Sequence, residues 1–170
     1  MSAILPALSV LFMVLSTAVP WGLPADATFI LPLVVVTMVF SWRAIPGAVM
    51  PEAEVMLLGL LTDVTTGGPL GFWALLCLIA CGVGGRARIF GERHDLSTLW
   101  LVWIGLAGAL AAFGWLLASL YFFRWVDWWP IAFGAVASIA LFPVVMYGLL
   151  GIRQSGGFAP RRSLHRRGWA

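Results

Sequence analysis

The segment LWLVWIGLAGALAAFGWLLASLYFF, residues 99–123, determines the fold class of this chain. It contains no charged side chain, and as an α-helix it would be about 38 Å long. The hydrocarbon layer of a bilayer is roughly 30 Å thick, so a helix of this length can cross it. The segment therefore predicts a transmembrane helix.

The composition of the whole chain leads to the same prediction. Of the 170 residues, 62% are hydrophobic and only 10% are charged, and the mean hydropathy is +1.00. A soluble globular protein needs more polar surface than this. The net charge of +3 comes from ten arginines against seven acidic residues, and half of the arginines follow Ile152, so the composition does not favour a nucleic-acid partner.

Apolar runs separated by turn-forming residues divide the rest of the chain. Besides residues 99–123, the runs are Ala3 to Val19, Thr28 to Trp42, Val49 to Leu61, Leu70 to Val83 and Ile131 to Ile152. The separators include RAIPG, TDVTTGGP and GGRARIFGERHDLS, which carry Gly, Pro or charge. We therefore expect an all-α, polytopic membrane bundle of about six segments over residues 1–152, followed by a basic cytoplasmic tail at 153–170.

The third and fourth runs are shorter than the others. As helices they would reach roughly 20 Å, less than the hydrocarbon thickness. Two readings stay open, a re-entrant hairpin or two full crossings, and both return the chain to the side from which it came.

The arginines predict the topology. If the loops alternate between the two sides, nine arginines lie on one side and only Arg124 on the other. Cytoplasmic loops are enriched in arginine, so both termini are expected in the cytoplasm. The tail arginines are expected to contact lipid headgroups, and a cytoplasmic partner for the tail is the alternative; these residues are Arg153, Arg161, Arg162, Arg166 and Arg167.

Asp63 is the acid of greatest interest, because it closes an apolar helix and precedes Gly67, Gly68 and Pro69. One interpretation is a turn and capping residue near the membrane interface. The other is a buried group that binds a partner, which would require an arginine, a hydroxyl or a partner's cation beside it.

Small residues at intervals of three and four mark helix faces that can approach closely. Such faces are formed by Gly105, Gly108, Ala109 and Ala112 in the fifth run and by Gly134 and Ser138 in the sixth. Packing inside the bundle is the main expectation for both faces, and an oligomer seam is the alternative. Cys77 and Cys81 are four residues apart, and we expect them to be small buried hydrophobic residues rather than a metal or disulfide site.

No catalytic motif is recognised in the sequence. Intramembrane aspartyl chemistry needs two carboxylates, but Asp63 has no second membrane-embedded Asp, and His94 and His165 are remote from any serine that they could activate. We expect no enzyme activity, no cofactor and no metal.

The stretch FSWRAIPGAVMPEAEVMLLGLLTDVTTGGPLGFWALLCLIACGVGGRAR, Phe40 to Arg88, resembles the core of the bacterial rod shape-determining protein MreD family. The matching features are Pro51, Gly59, Leu60, Asp63, Gly67 or Gly68, Leu70, Gly71, Ala74 and Leu75. The resemblance implies a non-enzymatic inner-membrane subunit of the cell-elongation machinery. It also implies a bitopic MreC-like partner and, through that partner, the actin-like MreB and the peptidoglycan synthases.

The competing expectation is a substrate-binding subunit of an energy-coupling-factor transporter, which is also a six-helix protein of similar length. Broken helices around an acid would suit such a protein. It needs a polar ligand cavity, however, and the apolar runs contain few polar side chains. The scaffold is therefore preferred.

Overall fold

The protein, described here from a computed structural model, is all-α. The structure describes residues 4–19, 22, 29–48, 50–91 and 96–155, and within these ranges it has six helices and no strand. The predicted all-α class and the predicted number of helical segments are confirmed for the described residues. The helices are α1 (Ile4–Thr17), α2 (Ile30–Ala44), α3 (Glu52–Thr66), α4 (Phe72–Gly91), α5 (Leu96–Tyr121) and α6 (Trp129–Ser155).

Helix α2 lies at the centre, in contact with α1, α4 and α6. Its β-branched residues Val35, Val36 and Val39 are fully buried, as is Phe40. Branched side chains lose rotamer freedom in a helix, so this segment is helical because its packing outweighs its propensity. The core of the bundle therefore forms around α2.

Helices α3 and α5 each pack on α4 and on one further helix. Helix α3 packs on α4 and α1, whereas α5 packs on α4 and α6. An aromatic cluster joins α2, α5 and α6, because the ring of Trp103 lies 5.0 Å from Phe40 and 6.0 Å from Phe142 between centroids. Such ring pairs contribute about 0.5–1.5 kcal/mol each beyond their buried area.

Two helices, α5 and residues 129–151 of α6, are long and apolar enough by length and composition to cross a membrane. Only 22% of the apolar stretch of α5 and 33% of that of α6 are buried inside the protein. The outward sides consist of large apolar residues, among them Leu101, Leu116, Val136 and Val144.

The predicted boundaries of the fourth segment are wrong. Helix α4 has 20 residues and continues through Arg86 and Arg88 to Gly91, so much of GGRARIFGERHDLS is helical rather than a loop. The reason is tertiary: Gly84 and Gly85 pack on Arg43 of α2, which stabilises helix beyond the apolar run. Helix α6 likewise continues to Ser155, three residues into the predicted tail.

Candidate functional site

Asp63 lies in the last turn of α3, just before the turn to α4, and its side chain is fully buried. Its Oδ2 accepts a hydrogen bond of 2.8 Å from the backbone N–H of Gly71, and its Oδ1 accepts one of 2.7 Å from that of Trp73. Gly71 stands just before α4 and Trp73 in its first turn, where backbone N–H groups have no partner within the helix. The structure thus gives Asp63 the geometry of a helix cap reached from the preceding helix.

The charge of this cap is also favourable. A carboxylate at a helix N-terminus interacts with the positive end of the helix dipole, which contributes about 0.3–1 kcal/mol at a surface and up to about 2 kcal/mol in partly buried sites. The cap therefore provides compensation for the burial of Asp63 without a partner's cation. Whether Asp63 also contacts a partner stays a prediction.

Two glycines make the turn possible. Gly67 follows α3 with a φ of 66° and Gly71 precedes α4 with a φ of 95°. Both values fall in the left-handed region, which residues with a Cβ rarely adopt. Gly68 and Pro69 lie between them, and the carbonyl of Pro69 accepts the N–H of Phe72 at 3.1 Å. The turn brings α4 back along α3.

Gly59 allows α3 and α4 to cross at close range. A Cβ at this position would lie against the Cα of Ala74 and 2.9 Å from its backbone nitrogen. Pro51 stands just before α3 with a φ of −61°, where its missing N–H costs nothing. Pro51, Gly59, Asp63, Gly67 and Gly71 therefore start the hairpin, hold its helices together and turn it. We call residues 51–74 the capped hairpin.

Hydroxyl contacts tie the capped hairpin to the rest of the bundle. The Oγ1 atoms of Thr17 in α1 and Thr65 in α3 are 2.8 Å apart. In the same group of helices, Trp42 Nε1 of α2 donates to Ser9 Oγ of α1 over 2.8 Å. The Thr17–Thr65 contact thus adds a side-chain hydrogen bond to the apolar packing that positions the hairpin.

A cavity of about 670 Å³ adjoins the turn of the capped hairpin. We call it the hairpin cavity. It lies between the ends of α1, α3 and α5 and the starts of α2 and α4, and its walls include Thr17, Phe29, Thr65, Phe72, Trp73 and Phe122. Its volume is in the range of about 300–1,000 Å³ that small-molecule sites occupy.

An aromatic turn connects α5 to α6 at the same end of the bundle. Trp115 Nε1 donates to the carbonyl of Val126 over 2.8 Å, and the rings of Trp115 and Trp125 stack with centroids 5.4 Å apart. Phe123 and Trp125 are 92% and 83% exposed. Tyr121, Phe122, Trp128 and Trp129 are also exposed. The turn is ordered by its own contacts yet presents its rings outward.

Arginines mark the opposite end. Arg43 lies in the last turn of α2, where its Nη1 donates to the carbonyl of Met50 at 3.4 Å, and Arg86 and Arg88 lie in the last part of α4. Two buried atoms there, Arg43 Nε and Glu54 Oε2, have no hydrogen-bond partner. Among the described arginines only Arg124 lies at the aromatic end, so arginine is segregated along the bundle.

The two predicted small-residue faces differ in the structure. A Cβ on Gly134 would lie 2.8 Å from Leu33 Cδ1, and Ser138 is fully buried, so the α6 face packs inside the bundle. The small-residue face of α5, which we call the α5 face, does not pack inside the bundle. Its residues Gly105, Gly108, Ala109 and Ala112 are exposed, and a Cβ on either glycine would meet nothing within 4 Å.

The expectation of internal packing is therefore wrong for the α5 face. The reason is that α5 turns its other side, which carries Trp103, Ala107, Leu110 and Gly114, toward its neighbours. Spacing reveals a face that can pack, but it does not reveal which side of a helix meets another helix.

Sequence reasoning missed one close approach, that of Gly84 to α2. A Cβ there would lie 2.8 Å from the carbonyl oxygen of Phe40. The pair Gly84–Gly85 was available as a signal but was assigned to a loop. Cys77 and Cys81 are buried free cysteines in α4.

Several predicted residues lie outside the described ranges, namely His94, Arg161, Arg162, His165, Arg166 and Arg167. Arg153 lies within α6. In the described ranges no three His, Cys, Asp or Glu side chains are grouped as a metal ion would need.

Comparison of the chain with protein-family models, with curated proteins and with solved structures gives no match.

Proposed function

We propose that the protein is a non-enzymatic scaffold of the bacterial cell-elongation machinery. In this proposal it is a six-segment protein of the inner membrane, with both termini in the cytoplasm. It binds an MreC-like bitopic protein and, through it, acts with MreB and the peptidoglycan synthases. Its tail arginines contact lipid headgroups.

The capped hairpin is the observation that carries the proposal. Gly59, Asp63 and Gly71 are features of the MreD-like pattern, and each has a structural task that holds α3 against α4. Asp63 uses both carboxylate oxygens on backbone N–H groups. A pattern composed of such residues suits a protein that works by presenting helix surfaces to other proteins.

Membrane embedding is supported by three features. Most of the apolar stretches of α5 and α6 are not buried by the rest of the chain, so they need an apolar surrounding. The aromatic turn lies at one end of the bundle and Arg43, Arg86 and Arg88 at the other. Aromatic rings at the headgroup level and cytoplasmic arginines are the usual arrangement in membrane proteins.

The α5 face is the candidate contact for a partner's helix. Gly105, Gly108, Ala109 and Ala112 leave the backbone accessible over two turns. In lipid, helices associate by close van der Waals packing, which small residues allow. A single-pass partner helix is the kind of element that fits this face.

Affinity purification tests the proposal. The tagged chain is extracted from native membranes in mild detergent, and the recovered proteins and small molecules are identified by mass spectrometry. Recovery of a bitopic coiled-coil protein together with wall synthases would support the scaffold. Recovery of an ATPase module or of a bound vitamin in their place would overturn it.

A pair of variants tests the α5 face. Gly108→Leu fills that face, whereas Gly148→Leu places the same side chain at an exposed position of α6, where a Cβ also meets nothing within 4 Å. We expect Gly108→Leu to lose the bitopic partner and Gly148→Leu to retain it. Equal recovery from both variants would exclude the α5 face as the contact.

The hairpin cavity is the observation that favours the second candidate, a substrate-binding transporter subunit. Its volume would accommodate a small solute. Its side-chain polar groups among the described residues are the hydroxyls of Thr17, Thr65 and Thr66 and the indole N–H of Trp73, and Asp63 is already engaged with α4. A charged solute would find little to pair with, so we prefer the scaffold.

A further inference from the structure

The walls of the hairpin cavity favour one chemical class of ligand. Aromatic rings and aliphatic side chains form most of the walls, and the described lining contains no charged side chain. Apolar area is attracted to an apolar surrounding, whereas an ion here would lose its hydration without compensation. The ligand must therefore be neutral over most of its length.

The three threonine hydroxyls supply only weak polar recognition. The hydroxyl of Thr17 donates to the carbonyl of Val14 and is also within hydrogen-bond distance of the hydroxyl of Thr65. The hydroxyls of Thr65 and Thr66 donate to the carbonyl of Thr62. Their hydrogens are thus used within the bundle, which leaves their oxygen lone pairs, and Trp73 in the lining carries one indole N–H. A solute with several hydroxyl or amide groups would leave most of them unpaired.

The cavity is continuous with the outer apolar surface of the bundle. Val19 at the end of α1 and Phe122 at the end of α5 both line the cavity, and they are 49% and 51% exposed. Leu15, one helical turn before Val19, and Leu120, two residues before Phe122, are exposed too. In a bilayer, lipid chains would contact these side chains directly.

We propose that the hairpin cavity binds one hydrocarbon chain of a bilayer lipid. The chain lies among Phe29, Phe72, Trp73 and Phe122, and the threonine oxygens lie beside it. This inference depends on the membrane embedding proposed above and is independent of the identity of the protein partner.

Photolabelling of the reconstituted full chain tests the inference. The vesicles contain phosphatidylethanolamine and phosphatidylglycerol, with a phosphatidylcholine probe that carries a diazirine on the part of one acyl chain next to the glycerol, the depth at which the cavity lies. Peptide mapping then locates the adducts. We expect stronger labelling at Phe72, Trp73 and Phe122 than at Leu116 and Phe133, which are exposed near the same end of α5 and α6, because the cavity holds the chain longer than the surface does.

A cavity-filling variant and a matched control separate the cavity from general lipid contact. Ala118 lines the cavity from α5, so Ala118→Phe fills it, whereas Ala140→Phe adds the same ring at an exposed position of α6. Labelling at Phe72 and Trp73 should fall about tenfold in Ala118→Phe, equivalent to about 1.4 kcal/mol. It should be unchanged in Ala140→Phe. Gly68→Leu, which fills the cavity from the turn, should repeat the loss if Ala118→Phe does not fold.

Three results would overturn the inference. The first is labelling at Phe72 and Trp73 that equals the surface labelling or is the same in both phenylalanine variants. The second is labelling by a free diazirine-bearing dodecanol without labelling by the phospholipid probe, which would assign the cavity to a free solute. The third is crosslinking of Phe72 to residues 23–28, which follow the lining residue Gly22, since the chain itself would then occupy the cavity. Partner recovery, measured separately, tests the scaffold.

Discussion

Replacement of Asp63 by asparagine removes one acceptor from a buried site that uses two. The native carboxylate accepts from Gly71 N–H and Trp73 N–H through different oxygens. Asparagine has nearly the same shape, but it offers one acceptor oxygen and turns an NH₂ group toward the second N–H. Two donors then face each other without water, and the negative charge at the start of α4 is lost.

The cost follows from these two changes. A buried donor without a partner costs about 1–3 kcal/mol. Loss of the charge–dipole interaction adds about 0.3–2 kcal/mol. We expect Asp63→Asn to lower the free energy of unfolding by roughly 2–4 kcal/mol. For a chain of this size that corresponds to a fall in Tm of roughly 5–15 °C.

Thermal unfolding in detergent, followed by circular dichroism and intrinsic fluorescence, measures this change. Asp127→Asn is the matched control, because Asp127 is exposed in the α5–α6 turn. The control should stay within about 0.5 kcal/mol of the native chain. An Asp63→Asn Tm equal to that of the control would refute the capping argument. Loss of partner recovery at an unchanged Tm would instead assign Asp63 to partner binding.

Further substitutions test the packing. Gly59→Ala places a Cβ against the backbone of α4 and should lower the free energy of unfolding by about 1–3 kcal/mol. Gly148→Ala meets open space and should raise the free energy of unfolding by about 0.5–1 kcal/mol. Thermal unfolding should therefore show opposite shifts in Tm for the two variants. Trp103 has a buried Nε1 without a partner, so Trp103→Phe should change stability by no more than about 1 kcal/mol, since loss of the unpaired N–H offsets the lost volume, while Trp103→Ala should cost about 3–5 kcal/mol. A large loss in Trp103→Phe would show that the indole N–H is paired in solution.

The local features of the capped hairpin could be predicted well because they depend on residues close in sequence. Asp63, the glycines and Pro69 predict a turn from backbone preferences alone. The identity of the capped groups was not predictable, since a side chain at the end of one helix reaches the first turn of the next. Gly59 was recognised as part of a pattern, but its contact with Ala74 depends on how the helices cross.

The side of each helix that faces the interior of the bundle was the least predictable feature. On α6, the expectation that Gly134 and Ser138 pack inward holds, whereas the equivalent expectation for Gly105 and Gly108 on α5 does not. In an apolar chain both sides of a helix consist of similar residues, so hydrophobicity does not distinguish the side that meets protein from the side that does not. The end of α4 was misplaced for a related reason, since contact with α2 extends the helix past its apolar run.

The sequence by itself determined the helical class, the number of helices and the segregation of arginine to alternate connections, because these depend on apolar runs, turn residues and charge read along the chain. Only the tertiary structure decided that Asp63 caps α4, that Gly59 and Gly84 are points of helix contact, that the α5 face is open and that a cavity adjoins the hairpin. These features require residues far apart in sequence to meet, and the meeting is determined by the packing of whole helices around α2.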